Sequence, residues 1–123
     1  EQGRAFTLIG IHTMPPLGRR NAARRDEQLA LLAGHVEQLD GPALVVGDLN
    51  ATPWSAGMRA LTAGNLRLGP GNPAWPTWRA RSPVAIPIDH ALTSPPLQIT
   101  RRRVGPDVGS DHRPLAISVG WTR

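Results

Sequence analysis

The chain has 123 residues, of which 40% are hydrophobic and 19% are charged, and its formal net charge is +5. This length and composition fit a single soluble globular domain with one modest core. No apolar run approaches the roughly 20 residues that a membrane span requires. Cysteine is absent, which excludes disulfides and cysteine-ligated metal sites.

All the positively charged side chains are Arg, since the sequence contains no Lys. The planar guanidinium suits bidentate phosphate contacts, so a polyanionic substrate or partner is one interpretation. Charges spread over solvated faces are an equally good one. The chain begins Glu1-Gln2-Gly3, without Met or signal-peptide features. We therefore expect a piece of a longer protein, cytoplasmic or, after an upstream membrane anchor, extracytoplasmic.

A strand, a helix and a second strand are predicted in the first part of the chain. Phe6 to Ile11 is an apolar run typical of a buried strand, and His12 follows it directly. Apolar residues recur at helical spacing from about Arg20 to Leu39, and Ala43 to Val46 predicts another buried strand. Such a crossover leaves its two strands parallel, so their carboxyl ends, with His12 and Asp48, share one sheet edge.

The second part is predicted to contain one short helix and more strands. Thr52-Pro53 indicates a helix start, so a helix is expected from Pro53 to Ala63. The Gly-, Pro- and Trp-rich segment from Leu66 to Pro87 predicts an ordered loop or a surface hairpin. Further strands are expected at Ile86 to Thr93, Leu97 to Val104 and Leu115 to Val119. The whole pattern predicts one α/β (α+β) domain over residues 1–123, with a mixed β-sheet flanked by helices.

Acidic and imidazole groups concentrate in three segments beside predicted strands, namely Gly47-Asp48-Leu49-Asn50, Ile88-Asp89-His90 and Gly109-Ser110-Asp111-His112-Arg113-Pro114. If the last strand runs antiparallel to the first two, Asp111 and His112 fall on the edge that holds His12 and Asp48. Sheet proteins commonly place sites at such an edge. Each segment taken singly also fits an ordinary turn or cap.

The residue types suit phosphoryl chemistry. Asp48 and Asn50 are two apart, so in extended backbone their side chains point the same way. The carboxylate can position or deprotonate a water, and the carboxamide can donate to a phosphoryl oxygen. Asp111 and His112 are adjacent and diverge, so one can face a metal and the other the substrate. Asp89 is the natural carboxylate to fix the tautomer of His112.

Other polar and aromatic residues have competing interpretations. His12 either contacts phosphate or is a structural histidine, and His90 is expected on the opposite sheet face, outside the site. Arg101 to Arg103 is better explained as a solvated strand edge than as a phosphate-binding patch. For Trp54 and Trp75, packing in a core or lid is favoured over stacking on a base or sugar.

The ordered set of motifs is more specific than its parts. A strand ending in His, a helix, a strand ending Gly-Asp-x-Asn, then Ile-Asp-His and Gly-Ser-Asp-His-Arg-Pro before a closing strand resembles the C-terminal half of the endonuclease/exonuclease/phosphatase superfamily. The resemblance runs from about Phe6 to Val119. It implies half of a four-layer α/β/β/α sandwich. The upstream half, with the principal metal-binding Glu, is absent, so we expect a homodimer or a complementary N-terminal half to cover the exposed sheet.

The resemblance also implies metal-dependent hydrolysis of phosphoester bonds, of nuclease, phosphatase or phosphodiesterase type. It assigns water activation to Asp48, phosphoryl binding to Asn50 and a share of the metal site to Asp111. Asp89 and His112 resemble the family's Asp-His dyad, in which the histidine contacts the scissile phosphate.

Further assignments complete this expectation. His12 matches the second active-site histidine, and with Asn50 and Arg113 it is a substrate-binding candidate. Leu49 stands where Phe is frequent. The expected cofactor is Mg²⁺ or Mn²⁺, and the substrate is nucleic acid, a lipid head group or a small phosphate ester. The chain alone is expected to be weakly active or inactive. The alternative is a non-catalytic module that binds nucleic acid or phosphate.

Overall fold

A computed structural model of the protein describes residues 3–79 and 83–122. Its elements in chain order are β1 (Thr7–His12), α1 (Arg19–Glu37), β2 (Ala43–Asp48), α2 (Ala56–Ala63), β3 (Trp78–Arg79), β4 (Ala85–Ile86), β5 (Asp89–Thr93), β6 (Leu97–Val104) and β7 (Leu115–Trp121). This mixed architecture confirms the predicted α+β class. The predicted hairpin segment is represented by β3 and β4, although residues 80–82 within it lie outside the described range.

The three strands β1, β2 and β5 form one sheet in the order β1-β2-β5. The first two pair in parallel, with His12 opposite Asp48, as the strand-helix-strand pattern predicted. Strand β5 runs antiparallel to β2, with Asp89 opposite Asp48. Three polar residues therefore lie side by side at one end of this sheet.

The last strand does not join this sheet. Strand β7 pairs with β6 in a separate two-stranded antiparallel sheet, so the arrangement considered for it, antiparallel to the first two strands in their sheet, does not occur. The segment before β7 is held instead by strand β3 and the residue before it. Trp78 forms an isolated bridge with His112, and Arg113 N donates to Thr77 O at 2.7 Å. These backbone contacts place His112 near the first sheet, although β7 does not belong to that sheet.

The core lies between the first sheet and the helices. Helix α1 buries Leu29, Leu32 and Val36, whose spacing of three and four residues puts them on one face. They pack in one cluster with residues from β2, α2 and β5. Helix α2 begins at Ala56 rather than at the predicted Pro53, because the Ser55 hydroxyl, not Thr52, caps the helix by accepting from Met58 N at 3.2 Å.

The opposite, open face of the sheet is exposed along its edge strand β1, whereas parts of β2 and β5 are buried on it. Alternation along β1 turns Ile9 and Ile11 toward the core, while Leu8 faces outward and is 63% exposed. The prediction that this strand is buried is therefore wrong for its outer face. The same alternation puts His12 and Asp48 on the open face. Across residues 3–79 and 83–122, no helix has the length and apolar character needed to span a bilayer.

Candidate functional site

The candidate site lies where β1, β2 and β5 bring His12, Asp48 and Asp89 together, and His112 joins them from the segment before β7. His112 Nδ1 lies 2.9 Å from Asp89 Oδ2, and its Nε2 lies 3.8 Å from Asp48 Oδ2. His12 Nε2 lies 3.5 Å from the same oxygen of Asp48. Four of the six predicted acidic, amide and imidazole site residues thus converge.

The bond between His112 and Asp89 fixes how the imidazole can act. An ionised carboxylate only accepts hydrogen bonds, so Nδ1 must carry the proton that it donates to Asp89. In the neutral ring Nε2 is then unprotonated and lies on the side of Asp48. This hydrogen bond thus directs Nδ1 of His112 at Asp89 and leaves Nε2 facing Asp48.

Asn50 is held close to Asp48 by backbone geometry. Its own φ is +44°, a left-handed conformation that Asn tolerates better than most residues. Asn50 N donates to Asp48 Oδ1 at 2.8 Å, and its side-chain Nδ2 donates to Thr13 O at 2.9 Å. The extended backbone expected between Asp48 and Asn50 is therefore replaced by a tight turn, because the carboxylate folds back onto the amide two residues on.

The environment of Asp48 favours its protonated form. Burial raises the pKa of this carboxyl above its usual value, and the nearby Asp89 carboxylate raises it further. The Asn50 N–H and the two imidazoles act in the opposite direction, but the pKa remains raised. A carboxylate with a raised pKa binds a proton more readily than an ordinary Asp, as a general base requires.

Asp111, the last of the six, and the predicted substrate-binding Arg113 lie on either side of His112 in the sequence. Asp111 is exposed, and its Oδ2 accepts a hydrogen bond from Trp78 Nε1 at 3.1 Å. Arg113 is half-buried and lines a cavity of about 220 Å³ behind the dyad, together with Asp89 and Ile117. Both residues thus flank His112 in the sequence and have hydrogen-bond or cavity contacts of their own.

Sequence reasoning missed the contribution of Arg102. It predicted a solvated strand edge, yet Arg102 is half-buried and donates to Asp89 O at 3.3 Å and to Asn72 O at 2.9 Å. Burial lowers the pKa of this guanidinium, and the charge of Asp89 opposes that shift. Strand alternation within the Arg101–Arg103 run was the available signal, since it turns the middle residue inward.

The sequence also predicted the surroundings of three other side chains. His90 is buried on the helix side, as predicted, with Nε2 2.8 Å from Ala51 O, and burial lowers its pKa. Trp54 and Trp75 are 58% and 59% exposed, so the prediction that they pack in a core or lid is wrong.

Asp48, Asp89 and His112 form a group that could hold a metal ion, because one ligand atom from each lies within 4.8 Å of the others. Carboxylate oxygens suit Mg²⁺ and Mn²⁺, and an imidazole nitrogen is acceptable to Mn²⁺. The donor types therefore fit a divalent cation. Two members of this group, Asp89 and His112, are also hydrogen-bonded to each other.

The fold is similar to that of several proteins of known structure. A 3′ phosphatase from Neisseria, NExo, bound to a product DNA hairpin, is 15% identical with a TM-score of 0.72, and the match covers 93% of this chain and 61% of that one. For humanized TDP2 from D. rerio the values are 17%, 0.71, 94% and 55%. For a mannosyl-6-phosphatase from Bacteroides thetaiotaomicron they are 18%, 0.59, 94% and 51%. At these identities the similarity establishes the fold.

The chain belongs to the Endonuclease/Exonuclease/phosphatase family, whose sequence model matches residues 2–112. No curated protein matches the sequence significantly. The chain spans about half the length of the solved structures that it matches, with coverages such as 47%, 52% and 45%. The match to the family model confirms the resemblance found in the sequence motifs.

Proposed function

We propose that this chain supplies one half of the active site of a metal-dependent phosphoester hydrolase. The observation that carries the proposal is the convergence of two carboxylates and an imidazole, with His112 Nδ1 2.9 Å from Asp89 and Nε2 3.8 Å from Asp48. Membership of the Endonuclease/Exonuclease/phosphatase family supports it. In this proposal residues 1–123 are the C-terminal portion of one such domain, half of a four-layer sandwich.

Asp48 is the proposed base. Its carboxylate orients the attacking water and accepts a proton from it as the water approaches phosphorus. The raised pKa of Asp48 supports this role, because a more basic carboxylate gains more by taking the proton. The Asn50 N–H bonded to Oδ1 keeps the carboxylate oriented.

Phosphate binding is assigned to the amide and the imidazoles. One N–H of the Asn50 amide is used by Thr13 O, and its second N–H can donate to a phosphoryl oxygen. His112, held by Asp89, and His12 contact other oxygens of the phosphate. Arg113 adds positive charge behind the dyad. Donors aimed at the phosphoryl oxygens stabilise negative charge that grows in the transition state.

Asp111 is the proposed ligand of Mg²⁺ or Mn²⁺ in this half of the site, since it is exposed one residue before His112. Asp48 and Asp89 supply the carboxylates of the three-residue group. When bound, such an ion polarises the phosphoryl group and neutralises charge on the leaving oxygen. The ordinary preference of these ions for carboxylate oxygen supports the assignment.

The open face of the first sheet supports a proposal about partners. Leu8 of the edge strand β1 is largely exposed there, and an edge strand with exposed apolar side chains tends to be covered. We assign this face to a complementary N-terminal half or to a second copy of the chain. The substrate is proposed to be a phosphoester of nucleic acid, a lipid head group or a small phosphate.

The test is phosphoester hydrolysis by the full-length protein. DNA, RNA, an aryl phosphodiester, an aryl phosphomonoester and a phospholipid are incubated with Mg²⁺, Mn²⁺ or a chelator. We expect metal-dependent turnover of at least one substrate and a loss of about 10²- to 10⁴-fold in Asp48→Ala. Asp40→Ala, in the exposed turn after α1, is the matched control and should stay active. Equal turnover by the two variants, or salt-dependent DNA binding without any turnover, would contradict the proposal.

A further inference from the structure

Two polar side chains on helix α1 contact the two loops that carry the site. Arg25 Nη1 donates to Asn50 O at 2.8 Å, and Gln28 Oε1 accepts from Met14 N at 2.8 Å. Residues three apart lie on the same face of a helix, so both contacts come from one helical turn. This turn therefore touches the loop after β2 and the loop after β1 together.

The Arg25 side chain is itself rigidly held. It is only 12% exposed, and its Nε and Nη2 both donate to Asp26 Oδ1, at 2.9 and 2.7 Å. Helix α2 closes over this pair, because a Cβ added at Gly57 would lie 2.4 Å from the same carboxylate oxygen. Because Nε and Nη2 are held by Asp26, the remaining nitrogen Nη1 can hold the Asn50 carbonyl in a defined position.

The two loops are also bonded to each other. Asn50 Nδ2 donates to Thr13 O, and Thr13 N donates to Asp48 O at 3.1 Å. Both contacts lie beside the left-handed turn at Asn50. A residue keeps such a backbone conformation only when several surrounding contacts hold it in place. Helix α1 thus supports a small network that ends on the proposed base and the proposed phosphate-binding amide.

We propose that Arg25 and Gln28 form a brace that positions the site loops for phosphoester hydrolysis, with Arg25 acting through Asn50 and Gln28 through the segment His12 to Met14. The inference rests on the proposed function. Neither side chain contacts the phosphate, so both are positioning residues. A displacement of about 1 Å at a reacting centre can cost about 100-fold in rate, which sets the expected scale.

The kinetic test compares Arg25→Gln with Arg24→Gln in the full-length protein, since Arg24 is the exposed neighbour on the same helix. We expect kcat to fall about 10- to 100-fold in Arg25→Gln, with the control unchanged. The decisive measurement is the double variant with Asn50→Ala. If Arg25 acts through Asn50, Arg25→Gln lowers kcat no further once Asn50 is lost. Full additivity, or an unchanged kcat in Arg25→Gln, would overturn the role of Arg25.

A second pair of variants tests Gln28 without relying on turnover. Gln28→Met removes the acceptor for the Met14 amide, whereas Gln28→Glu keeps an acceptor oxygen at the same reach. We expect faster hydrogen exchange of the Met14 N–H in Gln28→Met and near-normal exchange in Gln28→Glu. Normal protection in Gln28→Met would overturn the brace even if the protein proves to be a hydrolase. Faster exchange in a protein without hydrolase activity would keep the brace and reject the proposed function.

Discussion

Replacing Asp48 by Asn should stabilise the protein while abolishing turnover. The carboxylate lies beside Asp89, and both side chains are largely shielded from solvent, with exposures of 16% and 18%. Asn keeps an oxygen that can accept from Asn50 N, so the tight turn should survive. The substitution therefore removes mainly a like-charge repulsion and the cost of burying a charge.

The magnitude follows from the spacing of the charges. Ligand oxygens of Asp48 and Asp89 lie within 4.8 Å of each other, and at an effective dielectric of about 20 two unit charges at that distance repel by about 3 kcal/mol. Loss of the attraction to the imidazoles of His12 and His112 and a weaker bond to Asn50 N together offset about 2 kcal/mol of this repulsion. The net gain is then about 1 kcal/mol, or roughly 3 to 6 °C in Tm for a chain of this size.

Thermal unfolding of Asp48→Asn with a chelator present, against wild type and Asp40→Asn, measures this gain. Because the folded state raises the pKa of Asp48, wild-type stability falls as pH rises from the ordinary value of 3.8 through the raised pKa. The advantage of Asp48→Asn should therefore be complete at neutral pH and vanish below about pH 3.8. A Tm lowered by several degrees at neutral pH would refute the charge argument.

Three further predictions follow from the same geometry. Asp89→Ala and His112→Ala should each lower kcat. The double variant should lose little more, because the two residues of the proposed dyad act as one unit. Additive losses in steady-state assays would contradict this. Asp89→Asn should move the acidic limb of the pH-rate profile to lower pH, since removing that negative charge lowers the pKa of Asp48. Gly57→Ala should lower the free energy of unfolding by about 1 to 3 kcal/mol in denaturant titrations, because the new Cβ would clash with side chains of helix α1. Gly34→Ala has open space around it and should raise the free energy of unfolding by up to about 1 kcal/mol.

Much of the fold could be predicted because local patterns decide it. The helical spacing of apolar residues defined α1, and the strand-helix-strand order required β1 and β2 to be parallel. Strand β6 was predicted with the bounds Leu97–Val104 that it has. The placement of β7 could not be predicted, because the choice between two sheets depends on contacts with distant residues rather than on its own sequence.

The site was predictable only to the level of its residue types. Polar groups that end two parallel neighbouring strands had to meet, so His12 and Asp48 could be brought together from topology alone. Asp89 was predicted only as the partner of His112, because the pairing of β5 with β2 has no local signal. Strand alternation indicates that Arg102 turns inward, but its hydrogen-bond partners and those of Arg25 depend on tertiary packing that no local pattern encodes.

The most direct test of the central claim is a crystal structure of the full-length protein with Mn²⁺ and inorganic phosphate. We predict phosphate within hydrogen-bonding distance of Asn50 and His112, with Mn²⁺ bound to at least one carboxylate among Asp48, Asp89 and Asp111. Phosphate and Mn²⁺ bound elsewhere, with these side chains occupied only by each other and water, would contradict the assignment of this cluster as a phosphoester-hydrolysing site.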